Sequence, residues 1–316
     1  MKQEKIEFIK KGVIFIVLFI IIFSIVNQIY VSIVMGEKSR NKAQIQFNNL
    51  DKSNLNTVIF GDSHAWGLNP KFIDNSFNYG SSAESYEQTY YKVRYMINNY
   101  PNVEYYVLPI DYASFLSYAR DKYSDISYWS KFMSYKELSM ASNKSQISLM
   151  ILDKFPIIGS GNDIVTFMFS NEKKTYVYLG WQSQEISFAS DDPSYRIWVG
   201  QYRVYSQFNN QVIKEKSLIS SFYNIIDILE RNNKTIVLVK YPITREYFKA
   251  INERGINSSQ FYSEFYDLSL KHNKVYILDY QEVLLDNQEL FADSDHLDYL
   301  GAEVLSKKIN EDLKKI

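Results

Sequence analysis

Hydrophobic and polar positions divide this chain into one long N-terminal apolar segment and a body in which short apolar runs alternate with amphipathic ones. Met1 to Lys11 is polar and carries Lys2, Lys5, Lys10 and Lys11. From Gly12 to Met35 the chain is apolar, with no charge between Val13 and Val26 and Ser24 the sole polar interruption there. A run of about 20 apolar residues spans a bilayer, and a core helix would show a polar face, which is missing over about the first four turns. The run exceeds the roughly 7–15 residues of a signal-peptide core, and no small-x-small cleavage site follows. Residues 12–35 are therefore read as an uncleaved transmembrane anchor behind a cytoplasmic tail, residues 1–11. The lysines before the span barely outnumber Lys38, Arg40 and Lys42 after it, a weak positive-inside signal. It puts the N-terminus in the cytoplasm and everything after Met35 outside.

Residues 36–56 are polar, rich in Lys, Asn and Gln, and read as a stalk. The body, residues 57–316, opens with the apolar run Thr57–Phe60, a buried strand that stops at Gly61-Asp62-Ser63-His64. Phe77–Tyr79 is a short second strand ending at Gly80-Ser81-Ser82. Ser85–Asn99 has Tyr86, Tyr90, Val93 and Ile97 at helical spacing and ends before Pro101. Tyr105–Ile110 is a third strand, closing at Asp111-Tyr112. Strand, helix and strand at this spacing predict parallel βαβ units. Between about residues 113 and 206 the alternation breaks down, with helices predicted at Ser145–Phe155 and Asp163–Phe169. That stretch is rich in aromatic residues, including Trp129, Trp181 and Trp198. It is read as an insertion with its own elements, over the active edge of the sheet or as a helical excursion with core aromatics. The alternation resumes with an amphipathic helix at Ser217–Arg231, a strand at Thr235–Val239, a helix at Ser259–His272 and a strand at Lys274–Leu278. A last helix carries Leu300, Val304, Leu305, Ile309 and Leu313 on one face. The predicted fold class is α/β, a three-layer parallel sheet.

Composition changes this picture little. The 316 residues carry a net charge of −1 and no basic cluster, which argues against a nucleic-acid partner. The absence of cysteine excludes disulfides, thiolate metal sites and a cysteine nucleophile. Tyrosine is abundant, at 27 residues, and tyrosine-rich surfaces suit ligands with apolar and hydroxyl faces, such as sugars.

Gly-Asp-Ser is first of all a turn composition. At the end of a buried parallel strand it also delivers a serine to the sheet edge where ligands collect. More than two hundred residues later, Asp293-Ser294-Asp295-His296 lies between the last strand and the last helix, a loop that capping carboxylates alone would also explain. A serine nucleophile needs a base within hydrogen-bond reach, and the base needs a carboxylate to fix its tautomer. Ser63, His296 and Asp293 supply these in the order Ser, Asp, His. The chain has three histidines. His272 sits in a polar helix end, and His64 adjoins the serine, where direct proton transfer is disfavoured, which leaves His296 as the base. No metal or cofactor is called for.

Gly61-Asp62-Ser63-His64, Gly80 after the second strand and Asp293-x-x-His296-Leu297 followed by Gly301-Ala302 resemble the SGNH (GDSL-type) hydrolase superfamily. The resemblance covers residues 57 to the C-terminus with the insertion removed. It is most similar to the branch associated with O-acetylation of bacterial exopolysaccharides, to which membrane-anchored D-alanyl transfer proteins are related. The resemblance implies a flavodoxin-like fold, Ser63 as nucleophile, His296 as general base and acid, and Asp293 as its orienting carboxylate, with Asp295 the competitor. Asp62 would shape the turn. Backbone N–H groups of Ser63 and Gly80 would form the oxyanion hole. One departure concerns the third block, Gly-x-Asn-Asp: the third strand ends in Leu108-Pro109-Ile110-Asp111-Tyr112, and Gly161-Asn162-Asp163 lies too far downstream to replace it. The implied function is an extracytoplasmic, membrane-anchored acyltransferase. It would move a small acyl group, such as acetyl, through acyl-Ser63 to hydroxyls of an envelope or exopolysaccharide glycan. Its donor would be a membrane-bound O-acyltransferase partner. The alternatives are a carbohydrate O-acyl esterase of the same fold and a non-catalytic envelope assembly protein.

Overall fold

The computed structural model describes residues 2–116, 123–161, 164–165, 176–184, 188–190, 192–208 and 214–316. In chain order the named elements begin α1 (Lys2–Tyr30), α2 (Ser39–Asn49), β1 (Thr57–Ile59), β2 (Ser76–Asn78), α3 (Tyr86–Asn99) and β3 (Tyr105–Pro109). The central stretch holds α4 (Ile126–Trp129), α5 (Tyr135–Ser142), α6 (Gln146–Lys154), a hairpin of β4 (Val177–Tyr178) and β5 (Trp181–Gln182), and α7 (Pro193–Phe208). Then follow α8 (Lys216–Arg231), β6 (Thr235–Lys240), α9 (Arg245–Glu253), α10 (Ser258–Lys271), β7 (Val275–Asp279) and α11 (Tyr299–Leu313). The chain forms two compact units, residues 1–42 with 122–174, and residues 43–121 with 175–316.

In the first unit, α1 continues into a π-helical turn at Val31–Met35. The segment Lys5–Met35 is long and apolar enough to cross a membrane, with a mean hydropathy of 2.7 over its most apolar window. Its apolar side chains from Val13 to Val26 are mostly exposed, whereas Asn27 is buried. Asn27 Nδ2 donates to the Lys154 carbonyl at 3.2 Å, and the Ile157 N–H donates to Asn27 Oδ1 at 3.4 Å. The Phe23 ring lies 5.5 Å from that of Phe155. The polar break after Val26 is thus where the long helix meets α6 and the turn after it.

The second unit is built on five parallel strands in the order β2-β1-β3-β6-β7. This is a doubly wound order, and ligands in such sheets bind beyond the carboxyl ends of the strands where the order reverses, here between β1 and β3. β1 and β6 are buried at every position, as expected of parallel strands covered on both faces. One face joins Ile59, Val107, Val237 and Val239 to Leu305, Ile309 and Leu313 of α11. Across the unit α3 packs on α8. The Ser85 side chain caps α3 in a capping box with Gln88, which explains its sharp start.

The domain boundaries need two corrections. The stretch expected to be a stalk, residues 36–56, contains α2, and Phe47 on that helix is fully buried. Its ring meets Phe77, Tyr79 and Tyr100 at 4.9 to 5.2 Å, a burial that stabilises by about 1.5–3 kcal/mol. Gln46 Nε2 donates to the Val177 carbonyl at 2.6 Å. A polar composition concealed one apolar anchor and side-chain amides with partners. The expected insertion, residues 113–206, is likewise not one block: residues 123–161 group with the N-terminal segment, and residues 176–206 with the sheet. The helix predicted at Ser145–Phe155 is α6, and the one at Asp163–Phe169 falls outside the described residues except for Ile164 and Val165.

Candidate active site

The carboxyl edge of β1 makes an abrupt turn that only glycine allows. Gly61 has φ +126°, and a Cβ there would sit 2.5 Å from Pro109 Cγ. Asp62 then caps a short 3-10 turn, Ser63–Gly67, its Oδ1 accepting the His64 N–H at 3.0 Å. This sets Ser63 on the rim, partly exposed, while Asp62 and His64 are buried beneath it. A Cβ on Gly80 would come 2.5 Å from Ala65 Cβ, so the chain beyond β2 can lie against the turn only because residue 80 lacks a side chain.

The second half comes from the loop between β7 and α11. A bridge between Phe291 and Leu297 and a hydrogen bond from Ala292 N to the His296 carbonyl, 2.9 Å, close this loop. Asp293 Oδ1 accepts the backbone N–H groups of Asp295 and His296 at 3.0 and 2.9 Å. Both Asp293 oxygens lie 3.0 Å from His296 Nδ1, and His296 Nε2 lies 2.8 Å from Ser63 Oγ. With the proton on Nδ1 and shared with Asp293, Nε2 is the acceptor facing the serine hydroxyl. Asp295 Oδ1 is more distant from Nδ1, at 3.4 Å. Burial works to lower the His296 pKa, but the nearby Asp293 and Asp295 carboxylates outweigh it and raise it to about 9.

His64 does not touch Ser63. Its ring stacks on His296 at 4.6 Å and 19°, with Nδ1 2.9 Å from Asp62 Oδ1 and Nε2 3.4 Å from Asp295 Oδ2. Asp295 Oδ2 also accepts Arg203 Nε at 3.0 Å and Gln207 Nε2 at 2.8 Å. Burial opposes the charge on Asp295, but the Arg203 guanidinium and the two imidazoles hold its carboxyl well below the usual range. His272, the third histidine, pairs with Glu230.

The oxyanion arrangement expected from Ser63 and Gly80 needs correction. The Gly80 N–H is already donated to Asn78 Oδ1 at 2.8 Å. Asn78 Nδ2 donates to the carbonyls of Ala65 and Leu68 at 2.7 and 2.8 Å, so this fully buried amide braces the turn that carries Ser63. The Ser63 N–H has no hydrogen-bond partner among the described residues, and it remains the free donor at the turn. Gly61 and Gly80 are thus required by close approach, and the Gly80 N–H expected to face an oxyanion is instead held by Asn78 Oδ1. Of the fallback Gly161-Asn162-Asp163, only Gly161 is among the described residues.

Several residues of the site are not evident from sequence motifs. Asn78 and Asp111 each sit between apolar or aromatic neighbours, which was the available signal, whereas Arg203 and Gln207 lie in a mixed polar and aromatic stretch that offers none. Asp111 follows β3 and is buried; its Oδ1 accepts the Tyr241 N–H at 2.9 Å, and its Oδ2 has no partner. It lines a cavity of about 10 Å³ with His64, Tyr241, Tyr262 and Asp295, room for about one water. Burial pushes the Asp111 carboxyl up to about 7, with the His64 charge opposing the rise. A folded-state pKa above the unfolded value means the folded chain binds the extra proton between about pH 4 and 7, so this group costs stability as pH rises through that window. Asp111→Asn, which can keep the Tyr241 contact through Oδ1, should therefore flatten this loss. Relative to the parent, the variant should gain on the order of 2 kcal/mol between pH 5 and pH 8, measured by denaturant unfolding at both pH values.

Among the described residues, His64, Asp295 and His296 have ligand-capable atoms within 4.8 Å of one another. The two rings are stacked nearly parallel, so their nitrogens do not converge. Asp295 Oδ2 already carries a guanidinium and an amide donor. A cation there would face Arg203, and this donor set does not fit a metal.

The aromatic residues of the expected insertion fall into two classes. Trp129 and Trp181 are buried, whereas Trp198 is 53% exposed. On α7, Trp198 stacks with Tyr195 at 5.6 Å and with Tyr202 at 5.3 Å. Arg203 and Gln207 leave the same helix toward Asp295.

No family model and no curated protein matches the chain. Among solved structures it is similar to a Bacteroides fragilis protein described as a candidate acylhydrolase. The two are 10% identical, with a TM-score of 0.40, over 86% of this chain and 94% of that one. At that level of likeness, the chemistry open to the site rests on its own geometry.

Proposed function

We propose that the protein is a membrane-anchored serine acyltransferase that carries a small acyl group, such as acetyl, on Ser63 and passes it to a glycan hydroxyl. The observation that carries this reading is the continuous hydrogen-bond chain Ser63 Oγ–His296 Nε2, His296 Nδ1–Asp293 at the carboxyl edge of a parallel sheet. His296 Nε2 takes the hydroxyl proton as Ser63 Oγ attacks the acyl carbon. The donor's leaving group departs with that proton, and acyl-Ser63 remains. An acceptor hydroxyl then attacks the ester carbon and gives its proton to His296, which returns it to Ser63 Oγ. Asp293 holds the tautomer and balances the imidazolium. The Ser63 N–H is the donor available to the developing oxyanion. Losing one such donor typically costs ~10²–10³ in turnover, which favours an activated acyl donor over an ordinary ester.

The anchor supports a site at the membrane surface, with the N-terminus in the cytoplasm and the sheet unit outside, where envelope glycans and a membrane-bound acyl-donating partner would meet it. The exposed Tyr195–Trp198–Tyr202 stack supports a sugar-bearing acceptor, since aromatic rings pack against the apolar faces of sugars. Incubation of the purified full-length chain with an activated acetyl ester, with and without an oligosaccharide, should give acyl-Ser63 by mass spectrometry and acetylated oligosaccharide in excess of free acetate. Free acetate as the dominant product with acceptor present would assign the site to an esterase. No acyl-Ser63 and no product would reject both.

A further inference from the structure

We propose that His64 is a protonated imidazolium whose charge, stacked against His296, favours the neutral form of that base and so sets the pH at which Ser63 is activated. This rests on the reading of His296 as the base for Ser63. His64 is then a positioning residue that acts through His296.

Both nitrogens of the His64 ring face carboxylates. Nδ1 faces Asp62 Oδ1 at 2.9 Å, and Nε2 faces Asp295 Oδ2 at 3.4 Å. Ionised carboxylates only accept. A neutral imidazole has one bare nitrogen lone pair, which would then point at a carboxylate oxygen at a buried ring. With a proton on each nitrogen both contacts are attractive. His64 is 5% exposed, and burial lowers its pKa, yet Asp62 and Asp295 together hold it well above the ordinary histidine value.

Two imidazoles at 4.6 Å and 19° cannot both be charged without like-charge repulsion in a low-dielectric site. Each His64 nitrogen faces a carboxylate, whereas His296 Nε2 faces the Ser63 hydroxyl, which can donate to a bare nitrogen, so the proton that gives way is the one on His296. This offsets part of the rise that the carboxylates around His296 impose on that base. The titratable and charged groups facing the pair are Asp62 from the Ser63 turn, Asp111 and Tyr112 after β3, Tyr241 after β6, Tyr247 of α9, Tyr262 of α10, Arg203 of α7 through Asp295, and Asp293 beyond His296.

The test uses the full-length chain in detergent micelles, with histidine-selective ¹⁵N labelling and a fluorophosphonate probe for Ser63. In the parent, the His64 ring should show both nitrogens protonated throughout the titration of His296. In His64→Gln the His296 midpoint should move up by about one pH unit. Probe labelling at pH 7.5 should then fall about tenfold and return toward the parental rate at high pH. A merely structural role would lower labelling at every pH and leave the midpoint in place. A neutral His64 below the His296 midpoint, or an unmoved or lowered midpoint in His64→Gln, overturns the proposal. If the variant does not fold, the parental titration alone decides it. No labelling of the parent at any pH would remove Ser63 as nucleophile, while the ring nitrogens would still report whether His64 carries the charge.

Discussion

Asp293→Asn lowers the rate of acyl-Ser63 formation by about 10³–10⁴ while the protein keeps its fold. An asparagine amide can keep one oxygen as acceptor for the backbone N–H groups of Asp295 and His296. It then presents an NH₂ to His296 Nδ1, which turns the imidazole to the wrong tautomer and removes the charge that balances the imidazolium. The same change in a serine triad costs about 10⁴. Asp295→Asn behaves differently. That carboxylate is buried, 3.4 Å from Nδ1, and holds Arg203, Gln207 and His64. Its loss removes a buried counter-charge shared by a guanidinium and an imidazolium, so stability falls before tautomer control does. Single-turnover acylation and thermal unfolding, measured on both variants, separate the two carboxylates. A larger acylation loss in Asp295→Asn than in Asp293→Asn, with both folded, would make Asp295 the triad acid.

The second large effect lies under the segment that follows β2. Lys92 is fully buried in α3, and its ammonium donates to the Tyr79 carbonyl at 2.8 Å and pairs with Glu84. Thr89 Oγ1 donates to the other Glu84 oxygen at 2.9 Å. These contacts tie Tyr79, next to Gly80, to α3. Lys92→Ala removes the fully buried ammonium that pairs with Glu84 and should cost about 3–5 kcal/mol, read by denaturant unfolding. Lys92→Met combined with Glu84→Leu should recover most of that loss, because a packed apolar pair avoids the desolvation of both charges. A Lys92→Ala variant as stable as the parent would mean that the pair is hydrated and unimportant.

What the sequence revealed, and what it concealed, follows from how local each feature is. The β1, β3, β6 and β7 strands and the helices α3, α8 and α10 were legible because each is a continuous run with one period and clear stops such as Pro101 and Asp279. α7 was not, because its exposed face carries Tyr195, Trp198, Tyr202 and Tyr205, so the apolar period that marks a buried face disappears. α9 was missed because it is short and lies between Pro242 and Gly255, where turn signals dominate.

The site divides in the same way. Ser63, Asp293 and His296 are found from two motifs, each of which is a local turn: Asp62 caps its own 3-10 turn, and Asp293 caps the backbone of Asp295 and His296. The network behind them is long-range. His64 reaches Asp295 across 231 positions, and Arg203 reaches it across 92; neither contact leaves a spacing to recognise. The oxyanion expectation gave the Gly80 N–H a free role, whereas the side chain of Asn78, two positions earlier, accepts it in a local turn that the sequence Asn78-Tyr79-Gly80 itself permits.

The most direct test of the central claim is the site of attachment of a fluorophosphonate probe on the full-length chain, with His296→Ala in parallel. The account predicts one adduct, on the peptide that contains Ser63, and its loss in His296→Ala while that variant remains folded. A folded parent that takes up no probe, or one whose labelling at Ser63 is unaffected by loss of His296, would contradict it.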